Sequence, residues 1–401
     1  MADGQLIKPG PLMDGQNGPQ VTADDRMDRL RLLRSRRVGA VTYHRLLAEH
    51  GSAHAALAAL PAIARAAGVE GYEICPASVV DAEMLRGRAL GARLLVHGEA
   101  EYPRALMDLS DAPPLLWALG DTALLNQPSV AMVGARNASS LGVRMARRLA
   151  LGLAEAGFTI VSGLARGIDA AAHEAALEAG AVDAGAGNAG TGKTVAVMAG
   201  GVDVIYPPEN TALARAIAER GCRISEHPPG LAPQARHFPL RNRIVSGLAQ
   251  AVIVVEAAAK SGSLITARSA LDQGREVMAV PGHPFDARAS GCNMLIRDGA
   301  LLVRGTSDVL EALGAAPVAR PDHEEVRLPP LPGPAAPQRP LKDTALLHNM
   351  ILSRLGPSPL AEDQLLRDLN VSPADLAPEL LTLELDGRVQ RQAGGLLVRI
   401  D

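Results

Sequence analysis

Aromatic side chains are scarce: Phe, Tyr and Trp make up 2% of 401 residues, although apolar residues total 47%. A core made without aromatics must come from Ala, Leu, Val and Ile. That mix suits helices packed on a parallel sheet whose strands are covered on both faces. Cysteine is nearly absent too. Cys75, Cys222 and Cys292 are odd in number and far apart. Neither a disulfide framework nor a Cys-x-x-Cys metal knuckle follows from them, and a reducing compartment is expected. No basic head with an apolar run opens the chain, and no stretch approaches the roughly 20 apolar residues of a membrane-spanning helix. The expectation is a soluble, cytoplasmic protein with no membrane partner. Excess positive charge is also missing. The formal net charge is −3, so nucleic-acid binding has to come from a local patch.

What is present falls into segments. Residues 1–24 are rich in Gly, Pro and Asp without periodicity, and read as a mobile tail. Residues 25–90 carry apolar positions at helical spacing, broken at Gly39, Gly51 and Gly68. A small helical bundle fits this pattern, whether a helix-hairpin-helix module or a plain structural one. From 91 to 314 the pattern changes to short β-branched runs alternating with amphipathic helices. These runs are Ser129–Val133, Thr159–Val161, Val195–Met198, Arg223–Ser225, Ala251–Val255 and Glu276–Val280. Such alternation predicts an α/β fold with a Rossmann-like, doubly wound, mostly parallel sheet. A Pro-rich linker is expected over 315–340. Residues 341–401 show three helices and a terminal hairpin, the pattern of a winged-helix domain. Its third helix, Pro373–Asp386, carries Asp375, Glu379, Glu384 and Asp386 and no Lys or Arg. Phosphate is repelled there, which favours docking or a degenerate module over duplex reading.

The turns of the central segment carry the chemistry. Gly134-Ala135-Arg136-Asn137-Ala138-Ser139-Ser140 joins a strand to a helix. Ser139 or Ser140 can cap that helix, and Arg136 offers a fork of donors suited to phosphate. The spacing departs from the dinucleotide fingerprint G-x-G-x-x-G. In Ser162-Gly163-Leu164-Ala165-Arg166-Gly167-Ile168-Asp169, Asp169 can cap the next helix, and Arg166 can hold phosphate or pair with an acid. Arg236-His237-Phe238-Pro239-Leu240-Arg241-Asn242-Arg243 places Arg241 and Arg243 beside apolar Ile244, Val245 and Leu248, where a charge needs a partner. Lys260-Ser261-Gly262-Ser263-Leu264-Ile265-Thr266 opens another helix and makes either a second anion cradle or a plain capping turn. Residues 231–310 hold nine Lys/Arg against six Asp/Glu, so this region is locally basic. The turns lack the acids, bases and metal ligands of hydrolysis or hydride transfer, and no cofactor or metal is expected.

Gly187-Asn188-Ala189-Gly190-Thr191-Gly192-Lys193-Thr194 matches the P-loop pattern letter for letter. A P-loop needs a strand before it and a helix after it, whereas here an Ala/Gly-rich segment precedes and a strand-like run follows. It reads as an inserted loop over 181–194.

Taken together, the turns from Val133 to Arg136, Ser162 to Asp169, Phe238 to Ile244 and Lys260 to Arg268 resemble the DprA/Smf family. So do Val280-Pro281-Gly282 and the run Gly291-Cys292-Asn293-x-Leu295-Ile296-x-x-Gly299-Ala300. Their order and spacing agree over about residues 30–310. The resemblance implies a non-enzymatic binder of single-stranded DNA, a homodimer, that loads the RecA recombinase during natural transformation. It also implies a DNA pocket at Arg136, Ser140, Gly163, Arg166, Arg241, Asn242, Arg243, Lys260, Ser261, Gly262, Ser263 and Thr266. Two features depart from the family pattern: the long 181–194 insert and the acidic third helix of the tail. The alternative is a nucleotide phosphoribohydrolase of the lysine-decarboxylase-like Rossmann group. Its Pro-Gly-Gly-x-Gly-Thr loop is absent from this sequence.

Overall fold

The computed structural model describes residues 22–184, 193–315, 344–356, 358–392 and 396–400. Residues 1–21 of the expected tail, 185–192 of the expected insert and 316–340 of the expected linker lie outside the described residues.

Four helices come first: α1 Ala23–Arg34, α2 Ala40–His50, α3 Ala53–Ala66 and α4 Ala77–Ala89. The Thr22 and Ser52 hydroxyls cap α1 and α3 by accepting from the N–H groups of Asp25 and Ala55, each at 3.2 Å. The first helix therefore begins inside the segment expected to be tail. Leu32, Tyr43, Leu46, Leu57 and Leu60 form the core of this bundle. On the other side, Leu30 and Val80 pack with Trp117 of the central sheet. The Trp117 indole donates to Glu83 at 2.8 Å, and Arg34 neutralises that buried carboxylate at 2.8 Å.

The central segment runs β1 Arg93–Val96, α5 Arg104–Met107, β2 Leu115–Gly120, β3 Ser129–Val133, α6 Ser140–Glu155, β4 Thr159–Ser162 and α7 Ile168–Ala184. It continues β5 Thr194–Val197, α8 Thr211–Arg220, β6 Cys222–Ser225, α9 His237–Leu248, β7 Ala251–Val254 and α10 Ser263–Asp272. β8 Glu276–Ala279, α11 Ser290–Arg297, β9 Leu301–Leu302 and α12 Thr306–Ala312 complete it. The nine strands lie in the order β1-β2-β6-β5-β4-β3-β7-β8-β9. From β6 to β9 all pairings are parallel, while β2 pairs antiparallel with both β1 and β6. Every residue of β3, β4, β5 and β7 is buried, as expected of strands covered on both faces. One face carries Ala146, Leu149, Ala150 and Leu153 of α6, an i, i+3, i+4, i+7 stripe pressed on Val130, Met132 and Ile160. The other holds Ile244, Val245 and Leu248 of α9 with Ala267 and Ala270 of α10.

Two consequences bear on function. The chain leaves β3 toward β4 on one side and returns beside β3 as β7, so the β3/β7 boundary is a topological switch point. The P-loop-like stretch also sits after helix α7 and before strand β5, the reverse of the order a P-loop uses. Lys193 donates to the Ala154 carbonyl at 3.4 Å.

The last segment is a winged helix: α13 Thr344–Arg354, β10 Leu360–Ala361, α14 Glu362–Leu369, α15 Pro373–Leu385, β11 Val389–Gln392 and β12 Leu396–Arg399, with strand order β10-β12-β11. Leu347, Ile351, Leu365, Leu376, Leu380 and Leu397 fill its core. Ser372 caps α15 by accepting from the Asp375 N–H at 3.2 Å. Within the module, acids of α15 are met by His348, 2.6 Å from Glu379, and Arg391, 3.1 Å from Glu384. Among the described residues no helix is long and apolar enough to cross a membrane.

Candidate nucleic-acid interface

An open groove of about 510 Å³ lies at the carboxyl ends of β3, β4 and β7, on the switch point. Of the residues singled out by sequence, Arg136, Gly163, Arg241, Asn242, Lys260, Ser261, Gly262, Ser263 and Thr266 line it. The floor depends on glycine. Gly167 has φ +75°, and a Cβ there would run into the backbone carbonyls of Ala135 and Arg136. Its absence lets the second turn stack on the first, with the Ile168 N–H donating to the Ala135 carbonyl at 3.2 Å.

Arg241 lies under this floor with only 6% of its surface exposed. Its guanidinium donates to the carbonyls of Gly163 and Val197, the latter at 2.7 Å. A Cβ on Gly163 would collide with that guanidinium. Burial pushes the Arg241 pKa down to about 10, against the opposing charge of Asp169. Asp169 is itself buried, and desolvation pushes its carboxyl up although Arg241 and two backbone donors oppose the shift. It does not cap α7. It lies in the first turn and accepts from the N–H groups of Gly163 at 3.1 Å and Ala165 at 3.3 Å, fixing the second turn from within.

The rim is cationic and open. Arg136 is exposed, with its guanidinium carbon 5.4 Å from the centroid of Phe238, a stacked cation–π arrangement. Phe238 is braced by Tyr206 edge-on, at 5.7 Å between centroids. Opposite lies the start of α10, whose N-cap position is Gly262, and the Leu264 and Ile265 N–H groups donate to the carbonyls of Ser261 and Gly262, each at 3.1 Å. The Ser261 hydroxyl lies 2.7 Å from that of Ser263 and 3.3 Å from its N–H. Exposed Lys260 flanks this helix start, where the dipole favours negative charge.

Three expected residues do not line the groove. Ser140 is buried in the first turn of α6, and Ser139 provides the cap, accepting from Gly142 at 3.0 Å. The start of α6 is not open to an anion because the protein's own Glu256 occupies it. Glu256 accepts from the Ser139 N–H at 3.1 Å and from its hydroxyl at 2.7 Å. Gly142 has no Cβ where one would strike this carboxylate. Arg166 points to solvent, 3.6 Å from Glu209. Arg243 faces away into an ion pair with Glu226 at 2.5 Å and bonds the Asp111 carbonyl at 2.6 Å. Its need for a partner was legible in its apolar neighbours; the direction it faces was not.

Three domain families match in sequence. DNA recombination-mediator protein A matches residues 93–314, the DprA-like N-terminal HHH domain 23–85, and the DprA winged helix domain 334–395. The chain belongs to the DprA/Smf family. Among curated relatives of the family, Protein Smf of Synechocystis is 35% identical over 324 residues, 75% of this chain and 79% of that protein. DNA processing protein DprA of Streptococcus pneumoniae is 46% identical over 209 residues, 52% of this chain and 70% of that protein. The X-ray structure of DNA processing protein A (DprA) from Streptococcus pneumoniae aligns with a TM-score of 0.56 at 35% identity, over 69% of this chain and 98% of that one.

In this DprA/Smf chain the groove also recruits side chains that the sequence reading left out. Asn137 was inside a quoted motif but carried no role, and it lines the rim beside Arg136. Arg288 lay in no motif. It stands 3.6 Å from Glu256 and 3.1 Å from Asp286, and reaches the groove from the loop before α11. A lone Arg two residues from an Asp resembles a surface ion pair, so only the fold reveals its place.

Proposed function

We propose that the chain binds single-stranded DNA along the groove at the β3/β7 switch point and performs no chemistry on it. The carrying observation is the start of α10, with Lys260, Ser261, Gly262 and Ser263, facing Arg136 across one open cleft. Arg136, Asn137, Lys260 and the Ser261 and Ser263 hydroxyls hold successive phosphates, and Asn242 and Thr266 line the path. Phe238 with Tyr206 offers the one aromatic platform at this rim among the described residues, so stacking contributes less than in aromatic-lined single-strand binders. Arg241 and Gly163 shape the floor, and Arg243 and Ser140 hold the scaffold; Arg166 is peripheral to the path.

Labelled single-stranded and duplex oligonucleotides of one length test this. A preference for the single strand supports the reading, and equal binding of the duplex contradicts it. Release of free base from a nucleoside monophosphate would instead favour the phosphoribohydrolase alternative.

Two further steps complete the reading. A second copy pairs along edge strand β9, where Leu301 and Leu302 are 43% and 41% exposed and one side of the strand is unpaired. The bound strand is then handed to the RecA recombinase in the cytoplasm during transformation. Sedimentation should give a dimer at micromolar concentration, and the chain should speed RecA filament assembly on the strand. A monomer would refute the first step and an unchanged assembly rate the second.

A further inference from the structure

The groove does not end at Arg288. Arg288 and Asn137 are walls both of the groove and of a second cavity of about 310 Å³. The far side of this cavity belongs to the winged module. Arg288 donates to the Ser353 carbonyl at 2.6 Å and to that of Leu355 at 2.9 Å, at the C-terminal end of α13, where the helix dipole favours a cation. Arg354 returns a bond to the Ala138 carbonyl at 3.1 Å, so the module is tied to the turn that carries Asn137.

Asn349, Arg388 and Arg399 face the same space. The ladder between β11 and β12 brings the arginines together: Val389 pairs with Arg399, and the Ile400 N–H donates to the Arg388 carbonyl at 2.9 Å. Among the described residues the cavity is lined by three guanidinium groups and one carboxylate, Asp286, which is already paired with Arg288 at 3.1 Å. Among the described residues, none of the acidic helix α15 lines it. The sequence reading weighed that helix as the module's DNA contact, whereas these cations stand at its wing.

We infer that this cavity is a second anion subsite, which takes the next phosphates of the strand held in the groove. The winged module thereby lengthens the single-strand track through Arg388 and Arg399 and does not read a duplex through its third helix. This rests on the groove reading given above. Two cationic spaces that share two walls suit a polymer with evenly repeated charge better than two separate small ligands.

The intact chain, Arg136→Glu, Arg388→Glu and Asn349→Asp are compared on oligothymidylates of about 5 and about 16 nucleotides, the span of site sizes for one single-strand module. Arg388 and Asn349 are both exposed, so neither change should disturb the fold. Arg388→Glu should leave the short oligonucleotide within about twofold and weaken the long one at least about fivefold, with the salt slope shallower by about 0.7 per phosphate lost. Asn349→Asp should act the same way, less strongly. Arg136→Glu should weaken both lengths. If Arg388→Glu and Asn349→Asp bind the long strand like the unmodified chain while Arg136→Glu does not, the extension is wrong and the groove stands. If Arg136→Glu is also without effect, or the unmodified chain binds neither length, the groove reading fails and the extension falls with it.

Discussion

Replacing Arg241 with Ala should lower unfolding stability by about 2–5 kcal/mol, since each buried polar group left without its partner costs about 1–3 kcal/mol. The reason is local. Arg241 faces buried Asp169 and satisfies the Gly163 and Val197 carbonyls, so its loss leaves a buried acid uncompensated and two acceptors without a donor. Lys should not rescue the site, because an ammonium cannot reproduce the rigid guanidinium, whose Nη1 meets both carbonyls while its Nε donates to the Asn242 Oδ1 at 3.2 Å. The double change Arg241→Met with Asp169→Asn should recover part of the loss, since it no longer strands a charge although the two carbonyls stay without the guanidinium donor. Urea denaturation of the three variants reads this directly. A loss below about 1 kcal/mol for Arg241→Ala would mean that the floor of the groove is held by something else.

Charge reversal at Arg136 should do the opposite, leaving stability unchanged and weakening single-strand binding by about ten- to a hundredfold. A hydrogen bond to a charged group is worth about 1.5–3 kcal/mol, and each 1.4 kcal/mol is a factor of ten in affinity. Arg136 is exposed and stacks on the Phe238 ring, so the fold loses little when it is replaced. Arg136→Gln should fall between the two. The two predictions separate floor from rim: Arg241 is read in stability, Arg136 in affinity. Arg136→Glu binding as tightly as the unmodified chain would remove the rim from the interface.

Much of this architecture is legible in the residues. Val, Ile and Thr runs locate the six parallel strands from β3 to β8 within a residue or so, because burial on both faces leaves little choice of side chain. Two strands escape. β2, Leu-Leu-Trp-Ala-Leu-Gly, has no β-branched residue, and β1, Arg-Leu-Leu-Val, has only one, so neither stands out from a helical pattern. Their antiparallel edge was therefore not foreseen. The glycine turns announce the groove, since Gly163 and Gly167 are where backbone and guanidinium pack too closely for a side chain. Facing is what remains hidden. Arg241 and Arg243 are two apart on one helix, and only packing sends one beneath the groove and the other to Glu226. Ser139 and Ser140 are equivalent capping candidates until Glu256 arrives from the end of β7. The contact of the winged module with Arg288 is hidden as well, since a Pro-rich segment between the two elements carries no information about where the second one lands.

The central claim is that phosphates are captured by a small number of cations at a sheet edge in a chain whose net charge is −3. The most direct test is a salt titration of the intact chain on single-stranded oligonucleotide, with duplex of the same length as reference. The expected result is tighter binding of the single strand and a linear fall of log K with log salt. A slope of about −2 to −3.5 corresponds to about three to five phosphates held, at about 0.7 per phosphate. Arg136→Glu should make that slope shallower. Binding that ignores salt, or no binding to the single strand even at low salt, would contradict the account.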